Sequence, residues 1–209
     1  PYEDLVKAQY AAHARGEQTI PCYLVFDAQY RSKYAAGHIK PGKVESDARL
    51  PAEVFSSGLL TKADSLEALA EKLAMPPAAL VATVREFNTH AKRGEDPLFA
   101  RGASEHDRYY ADPSVKPNPS LAAVETAPFY AMRCEPGDLD TKGGLRCDEH
   151  ARVLRADGST ITGLYAAGNA SAPAVGDTYP GAGATIGSAM TFAYLAALHA
   201  FGNSTQGEH

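Results

Sequence analysis

The chain has 209 residues, of which 44% are hydrophobic and 22% are charged, with 20 Lys and Arg against 25 Asp and Glu. A net charge of −5 excludes a broad basic surface for nucleic acid or anionic lipid. No apolar run reaches the roughly 20 residues that span a bilayer, and no signal-peptide pattern is visible. Three cysteines without CxxC spacing argue against a disulfide framework or a cysteine zinc site, so we expect a reduced, cytoplasmic setting.

The first third of the chain predicts one helix, one strand and a long loop. Residues 1–14 favour a helix because their apolar side chains recur at helical spacing. Residues 22–26 form a short apolar run between Pro and Asp, which is typical of a strand. Residues 29–51 are polar and contain proline, and we expect a loop there with at most one helical turn.

The middle of the chain predicts a helical pair followed by a long surface segment. Residues 64–67 show a capping-box pattern at the start of a leucine-rich helix. The prolines at 76–77 end that helix and begin a second one, which runs to about His90. Residues 93–128 are rich in Gly, Pro, Asp and Ser, so we expect an ordered surface segment without a long helix.

The last third predicts strands and then a long apolar helix. Residues 129–134 favour a strand, and residues 151–161 favour a hairpin around an Asp-Gly turn. Residues 163–168 are typical of a buried strand, and they lead into a glycine-rich loop. Residues 184–200 favour an almost wholly apolar helix, which we interpret as a core helix because the apolar run is too short for a membrane anchor.

The glycine-rich segment from Gly163 to Leu198 is chemically unusual. It contains six of the 18 glycines and a single Asp, Glu, Lys or Arg residue, Asp177. Such a segment is either a buried core element, in which glycine permits close packing, or a backbone surface against a large, flat, uncharged ligand. The helix that starts near Ala184 would add free amide groups and a positive dipole end to such a surface.

A family resemblance rests on this segment. Residues 163–169 read Gly-Leu-Tyr-Ala-Ala-Gly-Asn, and residues 178–187 read Thr-Tyr-Pro-Gly-Ala-Gly-Ala-Thr-Ile-Gly. Together with the Gly-Gly-Leu at 143–145 and the hairpin after it, they resemble the C-terminal flavin segment of the 3-ketosteroid dehydrogenases. These enzymes belong to the FAD-dependent family that includes fumarate reductase flavoproteins. Ala182 departs from the proline that is common there in the Δ1-dehydrogenases.

The resemblance implies an α+β substrate-binding domain joined to the C-terminal strand and helix of an α/β, Rossmann-like FAD-binding domain. We expect residues 1–127 to belong to the substrate-binding domain, residues 128–201 to the FAD-binding domain, and residues 202–209 to form a disordered tail. A GxGxxG dinucleotide fingerprint after a strand is absent from the sequence. We therefore expect a C-terminal fragment whose partner is the missing N-terminal FAD-binding region.

The resemblance also assigns catalytic residues for removal of a hydride from C1 and a proton from C2 of a 3-ketosteroid. The hydroxyl group of Tyr179 and the backbone N–H of Gly183 would polarise the C3 carbonyl group. Tyr2 would accept the C2 proton, with Tyr10 as its rival. The alternatives are a packed loop tyrosine for Tyr179, a turn glycine for Gly183, and a helix-surface aromatic residue for Tyr2.

The predicted cofactor is FAD, which itself supplies the hydride acceptor. The resemblance places contacts to its isoalloxazine and ribityl regions at Gly168, Asn169, Ala184, Thr185 and Ile186. These small residues could equally serve packing alone. Histidine spacing gives no metal motif, so we expect no metal ion.

Several readings stay open beside a Δ1-dehydrogenase. The bond oxidised could be that of a Δ4-(5α)-dehydrogenase, or the substrate that of another fumarate-reductase-like flavoprotein. A dicarboxylate needs arginines, however, and none follows Arg155, which favours a neutral ketone. Tyr109 and Tyr110 could line a steroid entrance or could simply face solvent. In a different class, the chain could be an inactive piece that only docks onto a partner or binds steroid.

Overall fold

The computed structural model describes residues 2–138 and 143–202, with the backbone alone at residues 2 and 3. The chain divides into two compact units. Unit 1 comprises residues 1–20 and 136–209, and unit 2 comprises residues 21–135. The chain thus leaves unit 1 after Ile20 and returns to it after Glu135.

This division differs from the expected domain boundary after residue 127, which stays a prediction about function. Residues 128–135 belong to unit 2, because their strand pairs with two other strands of that unit. Residues 1–20 belong with the C-terminal part of the chain. The assignment of substrate and FAD roles to the two parts stays a prediction.

Unit 2, all of whose residues are described, is an α+β unit around a three-stranded antiparallel sheet in the order β1-β3-β2. Its elements are β1 (Cys22–Phe26), α2 (Ala28–Lys33), α3 (Ala52–Ser56), β2 (Leu60–Ala63), α4 (Leu66–Lys72), α5 (Pro77–Arg93), α6 (Glu105–Tyr109) and β3 (Phe129–Cys134). The first helix of the chain, α1 (Tyr2–Ala14), lies in unit 1.

The central strand β3 organises the core of unit 2. Successive side chains of a strand point to opposite faces, so β3 contributes to two clusters. Tyr130 and Met132 pack with Phe26 and Leu60, whereas Phe129 packs in the cluster that contains Leu69. The apolar run predicted at residues 129–134 is therefore a strand that is buried on both faces over its first four residues.

The helical pair is confirmed, but the cap of α4 lies one residue later than the capping-box pattern at residues 64–67 predicts. The hydroxyl group of Ser65 accepts a hydrogen bond of 3.1 Å from the backbone N–H of Ala68 at the start of α4. Pro77 begins α5, which ends at Arg93, three residues beyond the expected end. Gly94 closes the helix with a φ of 76°.

The expected loop at residues 29–51 contains more structure than the sequence indicated. Asp27 caps α2, because its Oδ1 accepts a hydrogen bond of 3.0 Å from the backbone N–H of Tyr30. Arg31 is 4% exposed and donates to the carbonyl oxygens of Lys40 and Glu45. These bonds hold the following turn in place, so the segment is ordered by a buried guanidinium group that no local pattern signals.

Unit 1 contains α1, the hairpin of β4 (Arg152–Leu154) and β5 (Thr160–Tyr165), a 3-10 helix at Gly168–Ala170, and α7 (Ala184–Gly202). The hairpin and both helices are confirmed. The expectation of a buried strand at residues 163–168 is wrong: β5 ends at Tyr165, and Leu164 is exposed. The predicted tail lies outside the described residues from position 203 onward.

Helix α7 is apolar but has no buried residue. Its large exposed side chains recur mostly every fourth residue and form a stripe, which we call the α7 stripe: Ile186, Met190, Tyr194, Leu198 and Phe201. By length and composition this 19-residue helix could cross a membrane, so the expectation that the apolar segment is too short is wrong. Core helices of soluble proteins meet the same criterion, and the absence of a membrane anchor stays a prediction.

Candidate functional site

The glycine-rich loop of unit 1 presents an open backbone surface. Gly181 has a φ of 136° and Gly183 a φ of 89°, which L-residues with a Cβ adopt only with strain. A Cβ atom built on either glycine would meet no described atom within 4 Å. Backbone conformation, rather than packing against described residues, therefore requires these two glycines.

The start of α7 lies directly after this loop. The first hydrogen bond of the helical ladder runs from the N–H of Gly187 to the carbonyl oxygen of Gly183, at 2.8 Å. The N–H of Ala184 donates to the carbonyl oxygen of Gly181 at 3.2 Å. Ala184, Thr185 and Ile186 are the three predicted FAD-contact positions in the first turn of α7. The amide of Ala184 is used by its bond to Gly181. The amides of Thr185 and Ile186 have no partner in the i→i−4 bonding of the helix.

Gly168 is explained by packing. It adopts a φ of 60°, and a Cβ atom there would lie 3.3 Å from the Cβ of Ala189 in α7. Its carbonyl oxygen accepts bonds from the backbone N–H and the hydroxyl group of Ser171, at 3.1 and 2.9 Å. The adjacent Asn169 is exposed. Gly168 therefore permits close packing against α7. Its contact with a cofactor stays a prediction.

The Gly-Gly-Leu segment has a structural role beside this turn. Leu145 donates to the carbonyl oxygen of Ala170 at 3.0 Å and accepts from the N–H of Ala172 at 2.8 Å. A Cβ on Gly144 would lie 2.7 Å from that same oxygen of Ala170. Gly144 is therefore a position where close backbone approach demands glycine.

Helix α1 is tied to the loop that carries Tyr179. The ammonium group of Lys7 donates to the carbonyl oxygen of Asp177 at 2.7 Å and to its Oδ2 at 3.0 Å. The hydrogen bond from Lys7, followed by its charge, lowers the pKa of Asp177. Because Asp177 precedes Tyr179 by two residues, this link brings together within unit 1 the helix that begins at Tyr2 and the loop with Tyr179 and Gly183.

The predicted catalytic residues are placed as follows. Tyr179 is half-buried and Gly183 lies at the open surface of the loop. Tyr2 is the first residue of α1, and its side chain lies outside the described residues. The rival Tyr10 lies exposed on the same helix. The sequence signal that could have revealed the Lys7 link is the isolation of Asp177 as the one charged residue of its segment.

Unit 2 contains a groove of about 770 Å³ between β1, α2, α5 and the segment of residues 110–124. Tyr110 lines the groove, whereas Tyr109 is 80% exposed. At its edge the hydroxyl group of Tyr34 donates to Oδ2 of Asp112 at 2.5 Å. This bond raises the pKa of Tyr34 to about 12, and bonds from Ser114 and Tyr34 lower the pKa of Asp112 to about 2.

A second polar centre of unit 2 surrounds Asp47. Its carboxylate accepts bonds from Arg31 at 3.0 Å, from Lys62 at 2.7 Å and from the hydroxyl group of Tyr130 at 2.8 Å. Burial raises the pKa of Asp47, but the Lys62 and Tyr130 bonds and the two cations outweigh burial and lower it. This arrangement is a satisfied structural network. Across the part of the chain that the structure describes, no group of His, Cys, Asp and Glu is suited to hold a metal ion.

Comparison with known proteins places the chain among flavoproteins. Residues 1–186 match the FAD binding domain family. The chain is 49% identical over 203 residues to the 3-oxosteroid 1-dehydrogenase of Mycobacterium tuberculosis, covering 95% of this chain and 35% of that protein. It is 40% identical over 198 residues to the 4-oxocyclohexanecarboxylate 2-dehydrogenase of Sinomonas cyclohexanicum, covering 93% of this chain and 33% of that protein.

A solved structure agrees with these similarities. The 3-ketosteroid Δ1-dehydrogenase of Sterolibacterium denitrificans, in complex with 1,4-androstadiene-3,17-dione, is 42% identical to the chain with a TM-score of 0.87. The match covers 95% of this chain and 35% of that one. The chain thus spans about a third of the length of the relatives it matches.

Proposed function

Since the chain belongs to the FAD binding domain family, we propose that it carries the flavin-facing and ketone-polarising residues of an FAD-dependent 3-ketosteroid Δ1-dehydrogenase. The similarity to a Δ1-dehydrogenase structure over 95% of this chain carries the proposal. We assign the FAD contacts to unit 1 and the substrate-binding domain to unit 2. A cytoplasmic setting is part of the same proposal.

The residues of unit 1 fit a flat flavin ring. The open space beside Gly181 and Gly183 allows a ring to approach the backbone without a Cβ in the way. The first-turn amides of Thr185 and Ile186 lie at the positive end of α7, where they favour an electron-rich edge. FAD held at these residues would supply the acceptor for the hydride lost from C1 of the steroid.

Tyr179 and Gly183 would hold the carbonyl oxygen at C3. A hydroxyl group and a backbone N–H four positions apart on one loop can converge on one oxygen atom. These donors stabilise the negative charge that develops on that oxygen as C2 loses its proton. The Lys7–Asp177 link would fix the loop at the residues that precede Tyr179.

Tyr2 is our candidate for the base that removes the C2 proton. It is the first residue of α1, and the positive end of a helix dipole favours the ionised form of an acid placed there. The Lys7–Asp177 link ties the same helix to the loop of Tyr179, which supports a common site.

The substrate we propose is a neutral ring ketone. The Sinomonas relative is named for a ketone that carries a carboxylate group. In this chain neither Lys nor Arg follows Arg155, so the whole glycine-rich segment lacks a cation that could pair with a carboxylate. A steroid without a carboxylate suits such a surface better.

A chimera tests the proposal. In it, this chain replaces the matching segment of the Sterolibacterium dehydrogenase, and 5α-androstane-3,17-dione is the substrate. Formation of a C1–C2 double bond is expected, whereas a C4–C5 double bond would identify a Δ4-(5α)-dehydrogenase. In the chimera, Tyr179→Phe should lower turnover on the order of 100-fold with flavin content retained, as loss of one oxyanion donor does. Full activity of that variant would remove Tyr179 from the mechanism.

The rival function, an inactive docking or steroid-binding piece, makes a different prediction. A flavin-loaded chimera that binds steroid without oxidising it would favour the rival. For the isolated 209-residue chain, we expect no flavin absorption after FAD is added and the sample is desalted. Retained flavin would show that unit 1 binds FAD tightly without further protein.

A further inference from the structure

Two of the three cysteines face each other across the sheet of unit 2. Cys22 is the first residue of β1 and Cys134 is the last residue of β3, and the two are direct partners in the antiparallel register. Directly opposed residues of antiparallel strands have Cα atoms about 4.5 or 5.5 Å apart, and their side chains share a face. Both separations lie in the range that a disulfide spans, about 4.4–6.8 Å.

The surroundings of the pair hold the two thiols next to each other. Both side chains are half-buried. Cys134 packs against the core cluster that contains Phe26 and Met132, so its side chain is held in place on the inner side. Burial raises the pKa of the Cys22 thiol, and the adjacent Cys134 raises it further, so less of this thiol is ionised at neutral pH and its reaction with peroxide is faster at alkaline pH.

The pair also has a special position along the chain. Unit 2 begins at Pro21 and ends at Glu135, so each cysteine lies one residue inside an end of the unit. A bond between Cys22 and Cys134 would enclose nearly all of unit 2 in one covalent loop. Closing a long loop restricts the unfolded chain most, and the stabilisation that results is largest for such loops.

We propose that Cys22 and Cys134 form a reversible cross-strand disulfide when the protein meets a peroxide. One thiolate attacks hydrogen peroxide, the O–O bond breaks, and a sulfenic acid and hydroxide form. The second thiol then attacks the sulfenic sulfur, so that the S–S bond forms, the S–O bond breaks and water leaves. Overall, two thiols lose two electrons and two protons, and one peroxide becomes two water molecules. This proposal is independent of the proposed function.

The experiment uses the full chain with Cys147→Ser, which leaves the pair as its remaining thiols. Cys147 lies in unit 1, where its thiol donates to the carbonyl oxygens of Leu145 and Ala166. Dilute protein is treated with hydrogen peroxide, the remaining thiols are alkylated, and a non-reducing tryptic digest is analysed by mass spectrometry. We expect a peptide that links Cys22 to Cys134, loss of both alkylation sites, and a thermal midpoint raised by several degrees that dithiothreitol reverses.

Two matched variants complete the test. Cys22→Ser and Cys134→Ser, each added to Cys147→Ser, should give no linked peptide and no rise of the thermal midpoint after peroxide. Sulfinic or sulfonic acids at the pair without a linked peptide would overturn the proposal. Disulfides only between separate molecules would overturn it equally.

Discussion

Unit 2 and unit 1 differ in how many apolar side chains they bury. Unit 2 covers both faces of β3 and buries Leu60, Leu69 and Phe26 almost completely. In unit 1, the buried apolar residues among those described are small or few: Ala12, Ala151, Val153 and Ala166. Its long helix α7 has no buried residue. Unit 2 therefore has the larger apolar core among the residues that the structure describes.

The predicted flavin contacts lie in unit 1, the unit with fewer buried apolar residues among those described. The open glycine loop and the α7 stripe both belong to this unit. Regions of low local stability commonly include ligand-binding segments. Four predictions test this contrast, from the largest expected effect to the smallest.

The largest effect is expected in the core of unit 2. Leu69 is 0% exposed, and Leu69→Ala should lower the free energy of unfolding by about 3 kcal/mol through lost burial and a residual cavity. Leu198→Ala removes the same atoms from the α7 stripe, where the side chain is 54% exposed. It should change the free energy by less than about 0.5 kcal/mol. Urea unfolding of both variants measures the contrast, and equal losses would contradict it.

The second effect concerns the glycine loop. Gly183→Ala places a Cβ on a residue with φ of 89°, which should destabilise the loop by about 1–2 kcal/mol without any steric clash. Gly187→Ala lies inside α7, also with open space around the added atom, and should stabilise the helix by about 0.5–1 kcal/mol. Hydrogen exchange of the α7 amides should therefore move in opposite directions. The same direction in both variants would show that the strain argument fails.

The third effect is the acid sensitivity of unit 2. The pKa of Asp112 is about 2 in the folded chain against an ordinary value of 3.8. A carboxyl group with a lowered pKa stabilises the fold above its unfolded pKa, and that stabilisation is lost as pH falls through the folded pKa. The thermal midpoints of the wild-type chain and Asp112→Asn should therefore differ at pH 6 and converge between about pH 4 and 2. Tyr34→Phe retains the carboxylate and should lose part of the difference in thermal midpoint. A difference in thermal midpoint that is as large at pH 2 as at pH 6 would argue against this linkage.

The smallest effect is expected at the surface link of unit 1. Lys7→Met should leave the thermal midpoint nearly unchanged, because exposed ion pairs contribute little to global stability. It should nevertheless speed hydrogen exchange at residues 176–183, since the loop loses two bonds to α1. Lys40→Met, at another exposed lysine, is the control. Unchanged exchange in both variants would mean that the link does not hold the loop.

Local patterns predicted much of the fold, whereas the site residues stay a prediction. The prolines at the start of α5 and the Asp-Gly turn each act through neighbouring residues, and each formed the expected element, whereas the cap of α4 is Ser65, one residue after the predicted start of the capping box. The sequence also predicted a glycine-rich loop around Tyr179. In the structure, Gly181 and Gly183 of this loop have positive φ angles. By contrast, β2 lacked a strand signal of its own and forms by pairing with β3.

By itself the sequence determined the helices α1, α4, α5 and α7, the hairpin, and the glycine-rich loop with a single charged residue around it, all of which follow from short-range chemistry. Tertiary structure alone decided which distant residues meet. It paired Cys22 with Cys134 and linked Lys7 to Asp177 across 170 positions of the chain. It also left α7, an apolar helix by composition, without a buried residue. Composition records how apolar a segment is, whereas burial depends on which other surfaces cover it.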